Sequence, residues 1–460
     1  MKRSYLPISN ASLFILLFLV VLFCLNFRLI QPRSTDTVLP FLCVSFAIVY
    51  LFFIYQTKKT KPVYLLDFTL FKPPQSCRVP FAAYFEHANL VFDPKTARFQ
   101  MGVLQNSGLG EDCGLPPTFQ YIPPQPTNEA AREEAEHVIF SVVDDLFDKT
   151  GIKQMEIDFL IVNCSVFNPI PSLTSMVINR YQMKPSVKSF NLSGMGCSAE
   201  LIALGLVKDL LQLYPNSYGL IVSTEIITPS LYLGKQRPML VTNCLFRMGG
   251  AAMIVTNRST DRARAKYELQ HLVRTHFGAH DNAYCCVQQE QDEEGHVGIS
   301  LSKDLPAVAG EALTANLTLL GPTVLPISEK FLFLQNLFRR KFLIFSPKST
   351  TTPPYIPNFR KAFDHFCIHA GGRAVIDDLE KHLRLSPEDV EASRMTLYRF
   401  GNTSSSSPWY SLGYVEAKGR MKRGDRVLQI ALGGGFKCNS AVWKCIRTVS
   451  EMTQGAWVDS

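Results

Sequence analysis

The chain has 460 residues, 47% of them hydrophobic and 19% charged, with a formal charge of +8. Such a composition fits a folded, core-forming protein, and the length leaves room for two fused halves of about 150–200 residues each. No Lys/Arg run or interleaving of basic and aromatic residues points to nucleic acid, so the positive balance suits an anionic membrane surface or a polyphosphate-bearing substrate.

Two apolar stretches open the sequence. Ala11–Leu25 is uncharged and extends to about Ile30, and Val38–Tyr55 runs for eighteen residues without a charge. A helix needs roughly 20 apolar residues to cross a bilayer, so two spans are expected, at about 11–30 and 38–55. A cleaved signal peptide is the alternative for the first, but Asn26-Phe27-Arg28 follows it instead of a small-residue cleavage site. Lys2 and Arg3 precede the pair, and Lys58, Lys59 and Lys61 follow it. The excess of basic residues outside the hairpin puts the N-terminus and everything after residue 56 in the cytosol. In that reducing compartment the twelve cysteines are expected as free thiols. None has the spacing of a zinc site, so neither a metal nor another cofactor is expected.

Residues 57–125, rich in Pro and Lys, read as a linker that feeds a globular body. An amphipathic helix is predicted after Thr127-Asn128-Glu129, ending near Gly151. Asp158–Val162 and Gly219–Ser223 read as buried strands, and Ser198–Leu213 between them as a helix apolar nearly all round, suited to an interior layer. A polar run near Asn257–Ala265 suggests a boundary, giving halves at 126–260 and 261–460. Phe331–Phe345 is apolar with a basic centre. It reads either as a surface helix covering the core or as an interfacial helix lying on the membrane. The second half then repeats the grammar. Phe366–Ile368 leads to His369 and a helix over Gly371–Leu383. Asn402 precedes a helix over Pro408–Lys418, and the strand Val427–Leu432 runs into Gly433-Gly434-Gly435 before a last strand around Ala441–Trp443. Strands and helices alternating in two halves imply an α/β body with layered sheets.

Chemistry concentrates at three turns. Cys197, in Asn191-Leu192-Ser193-Gly194-Met195-Gly196-Cys197, immediately precedes the predicted interior helix. A helix N-terminus favours a thiolate there, and the flanking glycines leave the sulfur open to a substrate. A buried structural cysteine is the plain alternative. His369 and Asn402 each stand at a turn before a helix, and His365 shares a face with His369 if 364–369 is extended. Asn at such a turn is usually a cap, and His365 suits the core as well as a site. Taken together, Cys197 can carry an acyl group while His369 and Asn402 donate hydrogen bonds to a thioester enolate. The amides of Cys197 and of the turn around Gly434 could hold the acyl oxygen. This arrangement suits condensation better than hydrolysis.

These motifs resemble the plant 3-ketoacyl-CoA synthases, the condensing enzymes of very-long-chain fatty acid elongation. The resemblance is carried by Phe71–Pro74, Ser107–Glu111, Asn191–Ala199, Asn243–Ala252, Phe366–Asp377, Phe400–Ser407 and Gly435–Ser440. It implies a thiolase-like five-layered αβαβα fold of two similar halves behind the two spans. It implies residence in the endoplasmic reticulum membrane with the body facing the cytosol, and a homodimer. The reaction implied is decarboxylative condensation of malonyl-CoA with a long-chain acyl-CoA to give 3-oxoacyl-CoA, without a cofactor. Ketoacyl reductase, dehydratase and enoyl reductase partners would complete the elongation cycle. By motif, Cys197 is the acyl-accepting nucleophile and His369 and Asn402 the malonyl-activating pair, with His276 and His365 in supporting roles. A type III polyketide synthase shares the Cys-His-Asn logic but generally lacks membrane spans. Three departures stand out: Tyr398 where the family carries His, Glu200 where it carries Gly, and Ile226 where it carries Asn; the first two favour the reading of a weakly active elongase scaffold.

Overall fold

The computed structural model describes residues 60–342, 355–449 and 455–458. Both apolar stretches before residue 56 lie outside them, as does the end of the Phe331–Phe345 segment. Among the described residues no helix is long and apolar enough to cross a membrane. Pro62–Ser460 forms one compact unit, separate from Met1–Lys61.

Its first part runs β1 (Tyr64–Leu70), α1 (Phe81–Val91), α2 (Pro94–Asn106), α3 (Asn128–Thr150), β2 (Ile157–Asn163) and α4 (Leu173–Tyr181). It continues through β3 (Lys188–Leu192), α5 (Ala199–Leu213), β4 (Tyr218–Glu225), α6 (Arg237–Leu245) and β5 (Gly249–Thr256). The second part begins with β6 (Tyr267–His276), α7 (Asp281–Tyr284), β7 (Val287–Gln291), β8 (Val297–Leu301), α8 (Leu305–Val324) and α9 (Ile327–Phe342). It ends with β9 (His365–Ile368), α10 (Arg373–Leu383), α11 (Pro387–Phe400), α12 (Ser407–Ala417), β10 (Arg426–Gly433) and β11 (Lys437–Cys445).

Nine strands pair in the order β3-β2-β4-β5-β1-β6-β11-β10-β9, and β7 and β8 form a separate hairpin. The order contains one pattern twice. In the first part β2 and β4 are parallel, and β4–β5 and β5–β1 antiparallel. In the second, β9 and β10 are parallel, and β10–β11 and β11–β6 antiparallel. The two meet at a short β1–β6 contact, Tyr64 with Glu268 and Leu65 with Tyr267. Strands covered on both faces read as continuous apolar runs, which is why the Asp158–Val162 and Gly219–Ser223 stretches lacked alternation. Helix α5 packs on β2 and β4 and also on β6 and β11, while α12 packs on β9 and β10 and also on β1 and β5. These two helices are the middle layer, and α3 on one side and α8 on the other form outer layers. The interior position explains why Ala199–Val207 is apolar nearly all round, and the polar Lys208, Asp209 and Gln212 fall in the last turns, where the helix reaches solvent.

Local signals set the element ends. Thr127 caps α3 by accepting the Ala130 N–H, and Gly151 ends it at φ 65°, a conformation glycine adopts without steric cost. Two expectations need correction. The stretch read as a linker supplies β1, a fully buried central strand, together with α1 and α2. Asp67 hid this strand, because a charge in its middle breaks the apolar run. In the fold Asp67 is neutralised by Lys149 and Lys266, each at 2.9 Å, and Lys266 reaches the buried Glu416 at 2.8 Å. Likewise the last strand spans Lys437–Cys445, well beyond Ala441–Trp443, since its polar residues face neighbouring chain instead of water.

Candidate active site

Cys197 lies in a single turn, Gly196–Ser198, that joins β3 to α5. His369 follows β9, and Asn402 follows α11 and leads into the turn Ser404–Ser406 before α12. The Cys197 turn and the serine turn pack against each other. Ser404 stands where these turns meet. Its N–H donates to Asn402 Oδ1 at 2.9 Å and its hydroxyl to Glu225 Oε2 at 3.0 Å, and a Cβ on Gly371 would fall 2.9 Å from His369 Nε2. Asn402 Nδ2 donates to Gly371 O at 3.1 Å, which orients the amide and leaves its second N–H for another acceptor. His369 Nδ1 is 2.7 Å from Ser407 Oγ, which also accepts the Ala370 N–H at 3.1 Å. Where the Ser407 hydroxyl donates to Nδ1, the ring proton sits on Nε2, the tautomer that leaves Nε2–H to donate.

Close backbone packing explains two glycines. A Cβ on Gly196 would fall 2.5 Å from the Gly434 amide nitrogen, and Gly196 has φ 71°. A Cβ on Gly433 would fall 2.7 Å from Ser198 Oγ and 3.0 Å from the Cys197 amide nitrogen. The Gly433–Gly435 turn is therefore pressed onto the Cys197 turn, with the Gly434 and Cys197 amides bordering one another.

Electrostatics reverse one expectation. The sequence placed Cys197 where a helix N-terminus would favour the thiolate. Burial instead pushes the thiol up to about 12, opposed by the Ser404 hydroxyl and reinforced by the Glu225 and Glu200 carboxyl groups. Desolvation of the charged form outweighs the helix field, so the resting group is a neutral thiol. Burial also lowers His369 to about 4, against a smaller opposing pull from the Ser404 backbone, so this ring is neutral.

The supporting candidates separate. Gly434 borders Cys197, as above. His276 ends β6 at the exposed rim, opposite Lys437 in the ladder, and its Nδ1 accepts the Gly278 N–H at 3.0 Å. His365 starts β9, and four residues of strand carry it about 13 Å from His369 on the same face. Its Nε2 lies 2.9 Å from Asp425 Oδ2, away from the other candidates. Sequence reasoning missed Glu225, Ser404, Ser407 and Lys437. Glu225, buried at the end of β4, accepts the Ser165 and Val166 N–H groups, each at 2.8 Å, and the Ser404 hydroxyl at 3.0 Å. Ser165 Oγ in turn accepts the Gly196 N–H at 3.0 Å. Glu225 thus braces the Cys197 and Asn402 turns together. An acid closing the apolar run Gly219–Glu225 was its signal in the sequence. Lys437 is buried beside the site, bonded to Gly434 O. Among the described residues all ten cysteines are free, and no His/Cys/Asp/Glu group could hold a metal.

The profile of FAE1/type III polyketide synthase-like proteins matches residues 55–342, and that of the 3-oxoacyl-[acyl-carrier-protein] synthase III C-terminal region matches residues 360–445. Two relatives from Arabidopsis thaliana, 3-ketoacyl-CoA synthase 6 and 3-ketoacyl-CoA synthase 5, are each 60% identical over 420 residues, 91% of this chain and 84% of theirs. The chain belongs to the 3-ketoacyl-CoA synthase family. The fold is independently matched by 1,3,6,8-tetrahydroxynaphthalene synthase from Streptomyces coelicolor, a type III polyketide synthase. That match has a TM-score of 0.62 at 19% identity and covers 83% of this chain and 99% of that one. The type III polyketide synthase domain of Steely1 from Dictyostelium matches with the same TM-score at 17% identity. The fold is thus thiolase-like.

Within the 3-ketoacyl-CoA synthase family, the three departures noted in the sequence fall in different places. Tyr398 is 54% exposed and covers Gly110 on the surface. Ile226 is fully buried in the apolar cluster behind Glu225. Glu200, one residue into α5, is fully buried, and neither carboxyl oxygen has a hydrogen-bond partner.

Proposed function

We propose that this chain is a membrane-anchored 3-ketoacyl-CoA synthase that condenses malonyl-CoA with a long-chain acyl-CoA, giving 3-oxoacyl-CoA, CO2 and free CoA. The observation that supports the reading is the packing of the Cys197 turn on the Ser404–Ser406 turn, with Asn402 bonded to Gly371 beside the His369 ring. Cys197 sulfur would attack the acyl-CoA carbonyl; the C–S bond to CoA breaks, and CoA leaves with the thiol proton. Malonyl-CoA then loses its free carboxylate as CO2, and the electron pair passes to the thioester oxygen as an enolate. His369 Nε2–H and the free Nδ2–H of Asn402 are suited to donate to that oxygen, an interaction worth about 3–4 kcal/mol per donor in the transition state. The enolate carbon attacks the acyl-cysteine carbonyl, a C–C bond forms, and the Cys197 sulfur is released and reprotonated. During both attacks the Cys197 and Gly434 amides would hold the acyl oxygen.

A neutral His369 suits this role, because a donor without charge does not need a counter-ion in a buried site. The two apolar stretches before residue 56 support anchorage in the endoplasmic reticulum membrane with the body in the cytosol. Homodimerisation, and cooperation with ketoacyl reductase, dehydratase and enoyl reductase, belong to the same reading. The unpartnered Glu200, together with Tyr398, favours a second reading, a weakly active elongase scaffold.

One assay separates the two: membranes carrying the protein, given labelled malonyl-CoA and saturated acyl-CoAs of graded length. Ketoacyl product that disappears in Cys197→Ala supports the synthase. Folded wild-type protein that yields no product at any length would sink it in favour of the scaffold.

A further inference from the structure

Helix α9 is built with its polarity reversed. Two turns apart on one side of it, Glu329 and Asn336 face the body. Glu329 is 1% exposed and accepts from Tyr355 Oη at 2.7 Å, the Asn358 N–H at 2.9 Å and Lys361 Nζ at 2.8 Å. Asn336 Oδ1 accepts the Tyr355 N–H at 3.0 Å. At 3.6 residues per turn, Ile327, Phe331 and Leu334 fall on roughly the opposite side. Their exposures are 83%, 66% and 50%. An ordinary surface helix buries its apolar stripe and wets its polar one; α9 does the opposite. Among the described residues the apolar stripe covers nothing, and the side of the helix that faces the body is its polar one. The remaining charges favour one occupant. Glu329 is the helix's one acid and is turned inward, whereas Lys330 and Arg339 lie at the two flanks of the stripe, with Arg339 exposed. An apolar stripe bordered by basic side chains matches the interface of an anionic bilayer.

We infer that α9 lies in the membrane interface, its Ile327–Phe331–Leu334 stripe among lipid acyl chains and its basic flanks at anionic headgroups. This inference rests on the anchor reading above. Residues 56–63 leave a tether of at most about 29 Å between the second apolar stretch and β1, which keeps the body at a lipid surface. The bonds of Glu329 and Asn336 then set the rotation of the helix, so that its apolar side is presented as a fixed element. A stripe held at the interface would also dock the body where long acyl chains enter from lipid.

Tryptophan quenching tests this in the full-length protein reconstituted into phosphatidylcholine–phosphatidylserine vesicles. Trp409, Trp443 and Trp457 are all buried, at 0%, 0% and 2% exposure, so Phe331→Trp and Leu334→Trp each add one distinguishable indole. Tyr284→Trp, at a residue 56% exposed, is the aqueous control. The inference requires that the indole added on α9 be quenched by lipids brominated along their acyl chains and shielded from acrylamide, with the control showing the reverse. An indole on α9 quenched by acrylamide, or shielded from both quenchers as a protein–protein contact would be, overturns it. Alkaline extraction is read first: wild-type protein released from the vesicles would mean that the anchor reading itself has failed.

Discussion

Ser404 donates its hydroxyl to Glu225 Oε2 at 3.0 Å from a left-handed backbone, φ 55°, that a serine adopts only at a cost. The strain sits in the turn that packs on the Cys197 turn, at the residue whose N–H also holds Asn402, so the conformation is held by the site's own hydrogen bonds. Ser404→Ala removes the bond to Glu225 and keeps the strain; Ser404→Gly removes both. The lost bond costs about 1–3 kcal/mol in each variant, and glycine recovers about 1 kcal/mol. The glycine variant should therefore melt roughly 1–2 °C above the alanine variant, although both lose condensation activity. Equal midpoints would mean that Ser404 carries no backbone strain.

A thiol pushed up to about 12 by burial predicts a particular pH profile for alkylation. At pH 8 its thiolate fraction is about one part in ten thousand, against roughly one in ten for an ordinary thiol of pKa 9. Iodoacetamide should label Cys197 slowly, and the rate should rise about tenfold per pH unit from 7 to 10 without a plateau. Peptide mapping by mass spectrometry, with exposed Cys285 as the internal standard, reads this directly. A plateau below pH 9 would show that the helix N-terminus prevails over burial.

Gly433 is expected to matter for position and not for stability alone. A Cβ there would press on Ser198 and on the Cys197 amide, and displacing a nucleophile by about 1 Å can cost 10²-fold. Gly433→Ala should thus lose activity by at least that factor while the body stays folded. Gly102 in α2, where an added Cβ meets nothing within 4 Å, supplies the contrast. Gly102→Ala should keep full activity and gain about 0.5–1 kcal/mol from the reduced freedom of the unfolded chain. Circular dichroism melts beside turnover assays separate the two effects.

The layered fold was legible because its strongest signals were local. Thr127 and Gly151 bracket α3, and the nearly all-round apolarity of Ala199–Val207 required an interior helix. The turns bearing Cys197, His369 and Asn402 were legible for the same reason, since small residues before a helix mark a projected side chain. What escaped was long-range compensation. Asp67 looks like a linker residue until Lys149 and Lys266 arrive from 82 and 199 residues downstream. Ser404 looks like one serine among four until Glu225 reaches it across 179 residues. The acidity of Cys197 failed for a related reason: helix position is a local property, but desolvation is set by everything packed around the sulfur.

Glu200 offers a last test, because its environment gives a clear sign. Burial holds its carboxyl well above the ordinary range, against a smaller opposing pull from the Glu200 and Leu201 N–H groups, neither of which makes a hydrogen bond to it. A carboxyl whose pKa is higher in the folded state than in the unfolded one favours folding most below the unfolded value of about 4.5. That advantage is lost as pH rises toward the folded value, because only the unfolded chain ionises freely. Above the unfolded value the group is therefore a liability, a carboxyl without partners inside an apolar helix. Glu200→Met, close in length and lacking the unpaired oxygens, should raise stability by about 1–3 kcal/mol. The gain should be larger at pH 7.5 than at pH 4.5. Denaturant titrations of wild type and variant at both pH values measure the difference. Destabilisation by Met at both would show that Glu200 is held by a polar partner in solution, and Cys197, the nearby thiol whose pKa it helps to raise, would be the first group to examine.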